Sequence, residues 1–154
     1  MQRAERSIRV NAPTQKVYEY WRNVENFPNF MEHVEEVHPR GGSDKLSHWK
    51  IKGPLGTSVE FDAEMTRDEP GKEIAWNSTG GSMESSGTVT FREVGDGVTE
   101  VHVLMQWYDP PGGAVGEAIS RMFQDPEKML DEDLKRFKDI AEGRVGSGTR
   151  NARG

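Results

Sequence analysis

Cysteine is absent from this 154-residue chain, which excludes disulfides, thiolate metal sites and thiol nucleophiles together and fits a reducing compartment. Apolar residues make up only 33% of the sequence, and no run approaches the ~20 apolar residues that a membrane-spanning helix needs. The opening Met1-Gln-Arg-Ala-Glu-Arg6 has no apolar stretch after its charges, unlike a secretory leader. The expectation is a cytoplasmic protein with no integral membrane association. Basic charge is scarce as well. A formal net charge of −6 argues against nucleic acid as a partner, because binding phosphate backbones requires a basic face. Residues 143–154 run the other way, with three arginines, no acids and repeated glycine, and read as a flexible basic tail following one domain over residues 1–142.

Catalytic phrases are also missing. There is no Gly-x-Ser-x-Gly nucleophile elbow. Gly112-Gly-Ala-Val-Gly116 precedes a helix but lacks the lysine and spacing of a phosphate loop. The histidines, His33, His38, His48 and His102, form no i,i+4 pair, so the expectation is no metal and no cofactor. Glu60, Asp62 and Glu64 share one face of a strand; buried, they would raise one another's pKa, but such a row is ordinarily the wet side of a sheet.

What the chain does have is one long helical pattern. Val115, Ile119, Met122, Phe123, Pro126, Leu130, Leu134, Phe137 and Ala141 recur at three- and four-residue steps, an apolar stripe that must lie on something. Asp125-Pro126 reads as an N-cap and N1 pair, which predicts a break inside the run, and Gly143 as the left-handed residue that ends it. Residues Ala4 to Val10 read as a strand, Pro13 as N1 of a short helix carrying Val17, Tyr20 and Trp21, and Asn26 as the cap of a further turn carrying Phe27, Phe30 and Met31.

From Val34 to Trp107 the pattern alternates with a period of two between glycine-rich turns that are too close together for crossover helices. The inward positions are Trp49 and Ile51; Val59, Phe61, Ala63 and Met65; Ile74 and Trp76; Met83, Ser85, Gly87, Val89 and Phe91; and Val101, Val103, Met105 and Trp107. A sheet with one apolar face needs a cover, and the long helix supplies it. The predicted class is α+β: a curved antiparallel sheet of six to seven strands around a long C-terminal helix, with two short helices after the first strand. Tryptophan and methionine on the inner face suit either a core or an apolar pocket.

Several phrases in this order, Ala12-Pro13, Val17-Tyr-Glu-Tyr-Trp21, Asn26-Phe-Pro-Asn-Phe-Met-Glu-His33, His48-Trp-Lys-Ile-Lys-Gly-Pro-Leu-Gly56, Ile74-Ala-Trp76 and Tyr108-Asp-Pro-Pro-Gly-Gly113, resemble the polyketide cyclase/dehydrase group. That group belongs to the START-like superfamily, with the coenzyme Q-binding domain proteins among its members. The resemblance covers residues 3 to 142 and carries no catalytic signature. It implies a helix-grip fold with a cavity between sheet and helix, lined by Trp49, Phe61, Trp76, Met83, Met105, Trp107, Ile119, Met122 and Phe123. The expected partner is a small hydrophobic molecule, a lipid, quinone or aromatic polyketide-like compound, bound by a monomer or a homodimer. The alternative is an aromatase/cyclase-type enzyme, which needs a polar acid/base group inside the cavity; Ser85, Glu84 and Tyr108 are the candidates. Within the helix, Met129, Leu134 and Phe137 are expected to close a compact core, and the residues before Asp125 to face the cavity.

Overall fold

The computed structural model describes residues 2–53, 56–81, 83–108 and 124–143. Strand β1 (Gln2–Val10) is followed by helix α1 (Thr14–Arg22) and a 3-10 helix (Val24–Asn29). Six strands follow: β2 (Val34–Arg40), β3 (Ser43–Lys52), β4 (Ser58–Glu69), β5 (Glu73–Gly81), β6 (Ser85–Gly95) and β7 (Val98–Trp107). Helix α2 (Pro126–Ala141) closes the described chain.

The strands form one antiparallel seven-stranded sheet in the order β1-β7-β6-β5-β4-β3-β2. Strands β2 to β7 are successive hairpins, as the short turns require. β1 joins the far edge beside β7, with Ala4 opposite Met105 and Ile8 opposite Val101. Since β1 and β2 occupy opposite edges, the α1 and 3-10 segment must span the sheet between them. Two register shifts between β4 and β5, with Thr79 the extra residue on β5 and Thr66 the extra residue on β4, bend the strands and increase their twist, so the sheet curls.

The predicted alternation holds along β4: Val59, Phe61, Ala63 and Met65 are buried, while Glu60 and Glu64 are exposed. The core continues from this face into a set of rings. Trp21 of α1 meets Phe27, Phe30 and Phe137 edge-on, with centroids 5.6, 5.0 and 5.3 Å away, a geometry that sets the positive edge of one ring against the negative face of another.

Local chemistry in the sequence predicts four helix boundaries. Asp125 caps α2 as expected, its Oδ1 accepting the Lys128 N–H at 3.2 Å, with Pro126 at the start of the helix. Gly143 adopts the expected left-handed φ of 78° and donates its N–H to the Ile140 carbonyl at 3.1 Å. The portion of the long helical pattern before residue 124 lies outside the described residues. Pro13 occupies the N-cap rather than N1, since its carbonyl takes the first helical bond from Val17 N at 3.1 Å. The turn predicted after Asn26 begins earlier. Asn23 caps it, accepting the Glu25 N–H at 3.2 Å, and Pro28 lies inside. Asn26 donates instead to the Tyr20 carbonyl at 3.0 Å.

Helix α2 lies against β1. Leu130, Leu134 and Phe137 are buried beneath it, and Arg6 reaches up from β1 to Asp131 at 3.2 Å and Glu127 at 3.4 Å. At its other side Arg136 donates through Nε to the Phe30 carbonyl at 3.0 Å, which ties the helix to the segment leading into β2.

Candidate functional site

The sheet and α2 do not close on each other completely. At the end of the sheet where β3 and β7 finish and β6 begins, a cavity opens with Trp49 and Ile51 of β3, Phe61 of β4, Trp76 of β5 and Met105 and Trp107 of β7 in its walls. Ala4 and Met83 complete that side. Opposite them stand Met31, His33 and Val34 from the segment before and into β2, and Pro126, Met129, Leu130 and Asp133 from α2. The space open to the centres of water-sized spheres is about 90 Å³, against the roughly 10–15 Å³ that a single water requires on that measure. It has room for several waters or for a compact ring.

The inner-face residues named from the sequence are brought together here to a large extent. Trp49, Phe61, Trp76, Met83, Met105 and Trp107 all line the cavity. Ile119, Met122 and Phe123 lie outside the described residues. The division of labour along the helix differs from expectation. Met129 was assigned to a compact core, but Pro126, Met129, Leu130 and Asp133 form one i, i+3, i+4, i+7 face that borders the cavity, and the solid core starts at Leu134 and Phe137.

The polar groups are few. Ser85 and Gln106 lie in the wall formed by β6 and β7, and His33 and Asp133 in the opposite wall. Glu84 and Tyr108, acid/base candidates from the sequence, are exposed and do not line the cavity; they border a neighbouring surface depression, with Asn77 and Ser86, that shares Ser85, Gln106 and Trp107 with it.

Asp133 is the group that sequence reasoning missed. Its Oδ1 accepts the Glu32 backbone N–H at 3.3 Å and a charge-assisted bond from Arg136, so both donors converge on one oxygen. Burial pushes its carboxyl up to about 6, outweighing the Glu32 N–H and the Arg136 guanidinium that favour the ionised form. His33 moves the other way: burial holds its imidazole below the ordinary histidine range, with the Lys52 and Arg136 charges acting in the same direction and Glu32 against them. The cavity therefore has a carboxyl whose protonation changes around pH 6 and an imidazole held towards its neutral form, groups able to exchange hydrogen bonds with a carbonyl or hydroxyl. A signal for Asp133 is present in the sequence, an acid beside Leu134 of the apolar stripe and four residues after Met129, but the sequence reading assigns it no role.

Among the described residues no group of three His, Cys, Asp or Glu side chains is placed to hold a metal, and no helix is long and apolar enough to cross a membrane.

Comparison with known proteins agrees with this geometry. A 17.2 kDa protein from Streptomyces lincolnensis, described as uncharacterized and from the melC2-rnhH intergenic region, is 35% identical over 144 residues, covering 94% of this chain and 92% of its own. The crystal structure of DR_A0006 from Deinococcus radiodurans superposes with a TM-score of 0.75 at 32% identity, covering 94% of this chain and all of that one. A START superfamily protein from Mycobacterium smegmatis, at 14% identity, shares the fold with a TM-score of 0.65 over 96% of this chain and 99% of its own. The curled sheet gripping a C-terminal helix is the START-like helix grip, and the match of residues 10–135 to the family described as polyketide cyclase / dehydrase and lipid transport makes this chain a member of it.

Proposed function

We propose that the protein binds a small, compact hydrophobic ligand bearing a carbonyl or hydroxyl group in the cavity between the sheet and α2. The observation that carries this reading is the composition of the walls: tryptophan, phenylalanine and methionine over most of the surface, with Ser85 and Gln106 on one side and His33 and Asp133 on the other. Large rings and adaptable thioethers supply apolar contact, and a small number of placed polar groups fix orientation. Lipids, quinones and aromatic polyketide-like compounds all fit that description.

Titration with anilinonaphthalene sulfonate, followed by fluorescence, tests it. One saturable site is expected, lost when Met105→Trp fills the cavity and retained when the exposed Tyr108 is replaced by Phe. Native mass spectrometry of the protein as purified, and of an organic extract, should show an apolar species. Absence of saturable binding, or binding indifferent to Met105→Trp, would overturn the reading.

A second reading, an enzyme of the cyclase/dehydrase type, is favoured by Asp133 alone. A buried carboxyl that titrates near 6 can take a proton from carbon beside a ligand carbonyl and return it to oxygen. If it does so, Asp133→Asn abolishes turnover of an aromatic poly-β-ketone mimic and leaves its binding intact. A variant with unchanged turnover excludes this role.

A further inference from the structure

Two spaces in the molecule share a wall. The ligand cavity and a second chamber of only about 10 Å³ are both bordered by Trp49 and Trp76, and the strands place them on opposite sides of that pair. Along β3, Ile51 borders the cavity, Trp49 borders both spaces, and Ser47 and Lys45 border the chamber. Along β4 the cavity has Phe61 and the chamber Met65; on β5 the chamber has Ile74, and Trp76 is common to both. The same order on three strands means that the two indoles lie across the length of the fold.

The wall is thin but braced. The indoles stack with centroids 6.2 Å apart and planes 19° from parallel, and Phe27 backs them at 5.1 Å from Trp49 and 5.8 Å from Trp76. Trp49 is tethered by its Nε1, which donates to Ser47 Oγ at 2.9 Å. The space behind is not uniformly apolar. Trp21 also borders it, and the Trp21 indole N–H is buried with no hydrogen-bond acceptor among the described residues.

We propose that Trp49 and Trp76 form a septum that limits how far a ligand reaches into the fold, so that the protein selects short, compact apolar molecules. Thinning the septum joins the two spaces and admits a longer ligand, whose far end meets the Trp21 N–H and Ser47 and is therefore best an acceptor. This inference rests on the binding role proposed above.

Straight-chain carboxylates from hexanoate to dodecanoate serve as rulers, each competing with bound anilinonaphthalene sulfonate. Every methylene that finds apolar cover raises affinity about fourfold. In the unaltered protein the rise should stop at one chain length. In Trp76→Leu and in Trp49→Leu it should continue for at least two further methylenes, giving tenfold or greater gain over the length at which the unaltered protein levels off. Thermal melts establish that each variant folds, and Trp76→Phe, which thins the wall without emptying it, serves where a leucine variant does not. The same levelling-off point in folded variants and unaltered protein overturns the septum. No competition by any chain in the unaltered protein overturns the binding role itself, so the two failures are distinct.

Discussion

Trp76 on β5 faces Gly87 on β6 so closely that a Cβ at residue 87 would lie 2.5 Å from Trp76 Cζ2 and 2.8 Å from Cε2. The glycine is there for the indole and not for a turn. Gly87→Ala forces the ring to shift within a packed wall, and overpacking of this kind costs about 1–3 kcal/mol. Urea unfolding should show that loss, and near-ultraviolet circular dichroism should change with it. Unaltered stability and spectra would mean that the indole is not seated over residue 87.

Asp133 should weigh against folding once it ionises. Its folded pKa is raised from 3.8 to about 6, so the folded state holds the proton more tightly than the unfolded chain, and its contribution to stability is present at low pH and lost as pH rises towards 6. Above that, the ionised carboxyl disfavours the fold by roughly 3 kcal/mol. Asp133→Asn keeps an oxygen for the Glu32 N–H and carries no charge. It should be more stable than the unaltered protein at pH 7 by up to about that amount, with the difference closing below pH 4. A difference independent of pH would show that Asp133 is not strained by burial.

Much of this fold was legible because its elements announce themselves locally. The alternation in β4 and the Asp125-Pro126 cap needed no tertiary information. The cavity wall was legible for the same reason: Trp49, Phe61 and Trp76 are inward by parity. Asp133 was not, since helical periodicity tells which side of α2 meets the sheet but not where sheet and helix part, and an acid bordering the stripe reads as solvated until the Met31–Val34 segment is seen beside it. Asn23 outranked Asn26 as a cap for a related reason. Either asparagine can cap a turn, and the choice depended on the Tyr20 carbonyl being within reach of Asn26.

Asp68 joins α1 to the end of β4. It accepts the Tyr18 hydroxyl at 2.5 Å and Arg22 Nε at 2.8 Å. Burial acts to raise its pKa, but the Tyr18 and Arg22 hydrogen bonds and the Arg22 charge outweigh burial and hold the carboxyl below its ordinary value. A depressed pKa contributes stability that is present above the unfolded value and lost as pH falls through the folded one. Tyr18→Phe removes one bond to this carboxylate and should cost about 1.5–3 kcal/mol at pH 7. Denaturation repeated at acid pH, below the folded pKa, should show a smaller difference. A cost that does not shrink there would show that the bond to the Asp68 carboxylate is not its source, since the phenylalanine ring keeps the edge contact with Phe91, whose centroid is 5.9 Å away.

On the outer face His48 bridges two acids, with Nδ1 2.7 Å from Asp62 and Nε2 2.7 Å from Glu60. Arg40 also binds Asp62, at 2.9 Å, and His38 is the cross-strand neighbour of His48. The hydrogen bonds to Asp62 and then to Glu60 raise the His48 pKa despite some burial. The sign is opposite to that of Asp68: the contribution is full below the unfolded histidine pKa and lost as pH rises through the raised one. The His48 side chain is 40% exposed, so solvent screening limits the effect to the range of surface pairs, about 0.2–1 kcal/mol. His48→Gln should therefore be slightly less stable than the unaltered protein at pH 5.5 and indistinguishable from it at pH 9. Added salt should shrink the acid-side difference, because exposed charges are screened. Nuclear magnetic resonance titration of the His48 ring gives the direct check. A midpoint at or below the ordinary histidine value would show that the two acids do not hold the imidazolium.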